Sequence, residues 1–131
     1  MGTRERRERS NESDRLLSSL FTGVAGVALA AVGGYGRGEL APGSDLDILF
    51  LHNGRVDDHA LGELVNKVLY PLWDKSFKVD HSVRTRAETR DAASSDLKVA
   101  LGLLDIRLIC GDADLVAAVQ HDAIDDWRGR S

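Results

Sequence analysis

The chain has 131 residues, enough for one domain with a hydrophobic core and too few for two domains of ordinary size. Apolar residues make up 43% of the chain and charged residues 29%, proportions typical of soluble globular proteins that exclude a disordered or fibrous protein. The formal net charge of −4 excludes a general basic surface for a nucleic-acid backbone, so we expect no nucleic-acid partner.

The N-terminal segment is polar. Residues 1–13 carry many charges and no apolar periodicity, which predicts a flexible arm in front of a domain over residues 14–131. Apolar residues then recur at helical spacing and predict a short amphipathic helix. These are Leu16, Leu17, Leu20 and Phe21.

Two buried strands are predicted next. Residues 24–32 form an apolar run that ends at Gly33-Gly34 and has the length of a buried strand. This run falls short of the ~20 residues of a membrane helix, and no signal peptide is recognisable, so we expect a cytoplasmic protein that does not contact a membrane. Residues 46–51, between Pro42-Gly43 and Asn53-Gly54, predict the second strand.

Further along the chain, helices alternate with one more strand. Residues 61–73 carry an apolar face that predicts a helix, bent or ended by Pro71. Residues 77–84 alternate between apolar and polar side chains, which predicts a strand with two unlike faces. Thr85 and Glu88 fit a capping box at the start of the next helix.

The last part of the chain shows two more helical patterns, over residues 97–109, with Gly111 as a C-cap, and over residues 112–127. Strands interleaved with helices, without internal repeats, predict an α/β or α+β domain. We expect a small mixed sheet with helices packed mainly on one face.

The candidate chemistry lies between residues 32 and 48. Asp45 and Asp47 are two residues apart at the mouth of a strand and therefore project from the same face. Two carboxylates about 5 Å apart repel by roughly 3 kcal/mol at an effective dielectric of ~20, so we expect a divalent cation to compensate them. Carboxylate oxygens favour Mg²⁺ or Mn²⁺, which also bind the oxygens of a triphosphate.

The glycines just upstream suit a phosphate. Gly33 and Gly34 have no Cβ, so their backbone N–H groups can approach a phosphate closely, and Arg37 can add a bidentate contact. An isolated Asp-x-Asp beside a flexible glycine turn is usually an exposed loop edge. Here the glycine pair follows a predicted strand and the second aspartate leads into another, which favours the phosphate-binding interpretation.

Val32-Gly33-Gly34 followed by Asp45-Leu46-Asp47-Ile48 resembles the signature of the DNA polymerase β-type nucleotidyltransferase superfamily. The resemblance implies that fold, two Mg²⁺ or Mn²⁺ ions, and a third carboxylate on a later, neighbouring strand. Asp80 is the candidate, with the alternative that it is an exposed residue paired with Lys78 or Arg84. The metal-binding and catalytic candidates are thus Asp45, Asp47 and Asp80, and the nucleotide-binding candidates are Gly33, Gly34, Arg37 and Ser44.

A closer resemblance, over roughly residues 25–120, is to the N-terminal catalytic part of bacterial PII uridylyltransferases. It implies transfer of UMP from UTP to a tyrosine hydroxyl of the PII nitrogen-regulatory protein, with release of pyrophosphate. Enzymes of that family are several times longer, and 131 residues leave no room for their hydrolase and sensing domains, so the chain is expected to correspond to a fragment of that architecture. The resemblance rests on the segments 33–40, 44–47, 72–74, 81–85 and 104–112.

Other functions remain open. A catalytically incompetent domain that binds a nucleotide or a partner is one alternative, and an adenylyl-transferring relative is another. A dinucleotide-binding turn at Gly36-x-Gly38-x-x-Ala41 is disfavoured because Pro42-Gly43 would break the helix that this motif must open.

Four aromatic and histidine residues carry weaker hypotheses. Tyr35 is the better candidate for stacking on a base, and Trp73 is expected to be a packing residue. His81 is expected to be a core histidine, and His121-Asp122 a solvated pair on a helix.

Overall fold

Four strands form the centre of the computed structural model, which describes residues 2–129. They are β1 (Val27–Ala31), β2 (Leu46–His52), β3 (Val79–Thr85) and β4 (Arg107–Gly111). Their order is β3-β2-β1-β4, with β2 parallel to β3 and with β1 antiparallel to both β2 and β4. The prediction of a small mixed sheet in an α+β domain is confirmed.

Six helices within residues 2–129 cover both faces of this sheet rather than mainly one. They are α1 (Thr3–Leu20), α2 (Gly33–Gly36), α3 (Asp58–Asp74), α4 (Arg86–Ser95), α5 (Leu97–Leu103) and α6 (Ala113–Gly129). Leu29 and Ala31 of β1 pack with α1 and α3, whereas Ala28 and Ala30 pack with α4, α5 and α6. Every residue of β1 is buried, and a strand that is apolar on both sides needs cover on both sides. None of the helices described is long and apolar enough to cross a membrane.

The expected flexible arm is wrong for the residues described, because α1 runs without a break from Thr3 through the predicted short helix. The contacts that hold the first half of α1 are polar, so the sequence shows no apolar periodicity there. Ser10 and Ser13 are buried, and the carbonyl of Arg6 accepts a hydrogen bond from the backbone N–H of Leu40. Met1 lies outside the described residues.

The predicted helix over residues 97–109 is also wrong. Helix α5 ends at Leu103, and the chain then forms β4, which pairs with the free edge of β1. Gly111 ends this strand at φ +98° and is not a helix C-cap. A Cβ at Gly111 would lie 2.5 Å from the carbonyl oxygen of Val27, so the close approach of β4 to β1 requires glycine at this position.

The predicted capping box at the start of α4 is confirmed. In the Thr85–Glu88 capping box, the Glu88 N–H donates to Thr85 Oγ1 (3.2 Å) and the Thr85 N–H donates to Glu88 Oε1 (2.8 Å). Pro71 does not end α3, which continues to Asp74. The proline lies in the last turn, where its missing N–H costs a single helical hydrogen bond.

Candidate active site

The register between β2 and β3 places the second and third predicted carboxylates side by side. Asp47 and Asp80 are direct partners in the parallel pairing, so both side chains leave the sheet on the same face, the one that α5 covers. Burial raises the pKa of Asp47, and the negative charges of Asp80 and Asp45 raise it further, while Lys98 opposes them. The structure therefore brings the three predicted carboxylates together.

Asp47 and Asp80 line two neighbouring cavities, and Asp45 lines one of them. The larger cavity, about 490 Å³, lies between β3 and α5, and the smaller, about 300 Å³, lies beside the loop that precedes β2. Both volumes lie at the scale of small-molecule sites. Asp45 and Ser44 line the smaller cavity, and four residues line both: Gly34, Asp47, Asp80 and Lys98. Among residues 2–129, no three or more His, Cys, Asp or Glu side chains form a ready-made metal cluster.

The predicted glycine turn is α2, a single helical turn between β1 and the loop before β2. Gly33 has φ +59°, and a Cβ there would lie 3.0 Å from Oδ2 of Asp47. A Cβ at Gly36 would lie 2.3 Å from the carbonyl oxygen of Asp105. Glycine thus lets the backbone of this turn pass directly beside the carboxylate site.

A polar network that the sequence did not indicate fixes this turn. Arg107 of β4 donates to the carbonyl oxygens of Tyr35 (2.9 Å) and Gly36 (3.2 Å) and pairs with Asp14 of α1. The Tyr35 hydroxyl donates to the same Asp14 carboxylate (2.6 Å). Tyr35 is 1% exposed, and burial raises its pKa, so it is not the base-stacking residue that we expected. It anchors the turn instead.

Three basic side chains line the larger cavity: Arg37, Arg84 and Lys98. Arg37, the predicted phosphate contact, is paired with Asp105 at 2.9 Å. Asp80 is exposed, as the alternative expected, but within the described chain it forms no salt bridge with Lys78 or Arg84. Lys98 was missed because its helix carries no motif, whereas the alternation of β3 indicated a shared face for Asp80, Ser82 and Arg84.

Two weaker hypotheses need correction. His81 points away from Asp80, as expected, but it is exposed because β3 is an edge strand, and its ring contacts Trp73 edge-on (6.3 Å between centroids). Asp122 is not solvated. It is 5% exposed and accepts two hydrogen bonds from Arg86 (2.7 and 2.8 Å).

Comparison with known proteins agrees with this geometry. Residues 14–102 match the family model described as the nucleotidyltransferase domain, a segment that contains the glycine turn and all three carboxylates. The chain therefore belongs to the nucleotidyltransferase domain family.

The curated relatives are more specific. The chain is 46% identical to the bifunctional uridylyltransferase/uridylyl-removing enzyme of Streptomyces coelicolor over 99% of this chain and 16% of the relative. It is 47% identical to the enzyme of the same name from Vibrio atlanticus over 81% of this chain and 13% of the relative. The chain thus spans about a sixth or less of the length of these relatives.

A solved structure shares the fold. A chain in the crystal structure of a variant of the MntA-HpeT toxin-antitoxin matches with a TM-score of 0.50 and 16% identity, over 92% of this chain and 88% of that chain. At this identity the match supports the fold class alone.

Proposed function

We propose that this chain transfers UMP from UTP to a tyrosine hydroxyl of the PII nitrogen-regulatory protein and releases pyrophosphate. The observation that carries the proposal is the pairing of Asp47 with Asp80, with Asp45 close by, at the mouth of a cavity bounded by a glycine turn. Uridylyl transfer is favoured over other nucleotidyl transfers by the names of the relatives and by the sequence resemblance. This reaction suits the cytoplasm, where UTP and PII would meet.

The carboxylates fit a divalent metal. Their oxygens are the donors that Mg²⁺ and Mn²⁺ prefer, and the pKa of Asp47 is raised by its burial and by the negative charges of Asp80 and Asp45. We propose that Asp45, Asp47 and Asp80 hold two such ions. Bound ions of this kind would neutralise the charge of a triphosphate during transfer.

The remaining residues have distinct roles in this proposal. Backbone N–H groups of Gly33 and Gly34, the Ser44 hydroxyl and the Arg37 guanidinium bind phosphate oxygens. Asp80, on the open edge strand, aligns the acceptor hydroxyl. The hydroxyl gives up its proton to solvent and its oxygen attacks the α-phosphorus. The bond from that phosphorus to the bridging oxygen breaks, and pyrophosphate leaves with the electron pair.

Label transfer tests the proposal. The purified chain is incubated with Mg²⁺, purified PII and each of four nucleoside triphosphates carrying ³²P at the α-phosphate. We expect label on PII with UTP only, and none on a PII variant whose acceptor tyrosine is replaced by phenylalanine. UTP labelled at the γ-phosphate is the matched control, since that label should leave with pyrophosphate.

The other outcomes identify the alternatives. Transfer from ATP in place of UTP would identify an adenylyl-transferring relative. Nucleotide binding without transfer to PII or release of pyrophosphate would identify a catalytically incompetent binding domain and would overturn the proposed activity.

A further inference from the structure

Lys98 lies on the wall of the cavity opposite the sheet, in the first turn of α5. The Asp96 carboxylate accepts hydrogen bonds from the backbone N–H groups of Lys98 (2.9 Å) and Val99 (3.4 Å), which fixes that turn. Gly102 lies one helical turn further along, and a Cβ there would be 3.6 Å from the backbone nitrogen of Gly33. Residues four apart share a helix face, so Lys98 projects on the side that faces the glycine turn.

The ammonium group of Lys98 is available to bind a ligand. Within residues 2–129 it forms no salt bridge, whereas the guanidinium of Arg37 is already held by Asp105. Lys98 nevertheless lines both cavities, as do Gly34, Asp47 and Asp80. Its positive charge also acts on the Asp47 carboxylate. A free cation therefore stands at the point where the glycine turn and the carboxylates meet.

An incoming nucleoside triphosphate adds negative charge to a place that already holds three carboxylates. The backbone N–H groups of α2 contribute only partial charges, and Arg37 must divide its hydrogen bonds between Asp105 and any phosphate. A lysine is suited to such a site because it is a compact charge on a flexible stem that can follow the phosphate oxygens.

We propose that Lys98 is a substrate-binding residue that donates hydrogen bonds to the phosphate oxygens of the bound nucleoside triphosphate. The inference rests on the proposed function, since it needs a triphosphate in this cavity. Lys98 binds the phosphates, and Arg37, held by Asp105, shapes the cavity edge and adds a secondary contact. The third basic residue, Arg84, lines the larger cavity but not the smaller one beside Asp45.

Equilibrium dialysis tests this assignment with wild type, Lys98→Gln and Lys98→Arg, using Mg²⁺ with UTP, UDP and UMP. Lys67→Gln is the matched control, because Lys67 is an exposed lysine on α3, away from the cavity. A charge-assisted hydrogen bond contributes about 1.5–3 kcal/mol, so we expect Lys98→Gln to raise the Kd for UTP by ~10–150-fold. UMP should lose less affinity than UTP, Lys98→Arg should retain most of it, and Lys67→Gln should match wild type. Thermal unfolding monitors the fold of each variant.

The inference is overturned if Lys98→Gln binds UTP as tightly as wild type, or if UMP and UTP lose affinity by the same factor. A wild-type chain that binds no nucleoside triphosphate overturns both this inference and the proposed function. Transfer of UMP to PII by a Lys98→Gln variant with unchanged Kd and KM for UTP would overturn the inference alone. Weakened UTP binding in the variant, together with no labelling of PII by wild type, would support Lys98 and reject the proposed transfer.

Discussion

Asp47 and Asp80 are direct partners across the parallel β2–β3 register, although the whole of α3 separates them in sequence. Parallel pairing with a helical crossover puts their side chains on one face at one level of the sheet. Burial raises the pKa of Asp47, and the negative charge of the neighbouring Asp80 raises it further. This pairing is the relationship on which the proposed chemistry depends.

Binding of Mg²⁺ and UTP should stabilise the fold. A ligand present at 100 times its Kd adds about 2.7 kcal/mol to the free energy of unfolding. We therefore expect the melting temperature, measured by differential scanning calorimetry, to rise by several degrees with Mg²⁺ and UTP together. Asp45→Asn should reduce this rise strongly, because Asp45 lines the smaller cavity next to Asp47. An equal rise in Asp45→Asn would show that this carboxylate does not hold the ligand.

Gly33→Ala should impair the site more than it impairs the fold. Its φ of +59° strains alanine by roughly 1 kcal/mol, and the new Cβ would press on Asp47 Oδ2 at 3.0 Å. Gly38→Ala is the matched control, because Gly38 has φ +76° and a methyl group added there would meet no atom within 4 Å. Both variants should lose similar stability in urea unfolding, but only Gly33→Ala should lose UTP affinity. Equal UTP affinity in the two variants would show that the turn at Gly33 is not part of the nucleotide site.

Arg107→Met should destabilise the chain by about 2–4 kcal/mol, since it removes the ion pair with Asp14 and leaves two carbonyl oxygens of the turn without this donor. Tyr35→Phe, which removes one hydrogen bond to Asp14, should cost about 1 kcal/mol. Arg55→Met, at an exposed arginine, is the control and should cost almost nothing. Urea unfolding measures all three. Equal midpoints for Arg107→Met and Arg55→Met would rule out an anchoring role for Arg107.

Asp122 should contribute to stability in a pH-dependent manner. Its hydrogen bonds with Arg86 lower the pKa of this carboxyl below its ordinary value of 3.8. The stabilisation is therefore complete above the ordinary pKa and is lost as the pH falls through the lower folded-state pKa. We expect Asp122→Asn to melt several degrees lower than wild type at pH 7, with the difference shrinking below about pH 4. Asp91→Asn, at an exposed acid on α4, should melt like wild type throughout. A difference for Asp122→Asn that does not change with pH would contradict the ion-pair explanation.

The sequence predicted those parts of the site that depend on local pattern. Asp45 and Asp47 follow from their spacing at a strand. Asp80 follows from the family resemblance, which implies a third carboxylate, together with the alternation of β3, which leaves one face polar. Arg107 was hidden because residues 97–109 are apolar at intervals that fit a helix, and only pairing with the edge of β1 makes the second half a strand. The first half of α1 was missed because polar contacts with distant segments hold it, and such contacts leave no periodicity in the sequence. Lys98 was missed because its helix carries no motif.

A double-mutant cycle on turnover tests the central claim, that Asp47 and Asp80 act at one point. Steady-state release of pyrophosphate from UTP in the presence of PII is measured for wild type, Asp47→Asn, Asp80→Asn and the double variant. Residues that act as a unit are strongly non-additive, so each single variant should lose ~10²–10⁴-fold in kcat/KM and the double variant should be within about tenfold of the worse single variant. Losses that multiply in the double variant, or an Asp80→Asn variant as active as wild type, would contradict the shared site.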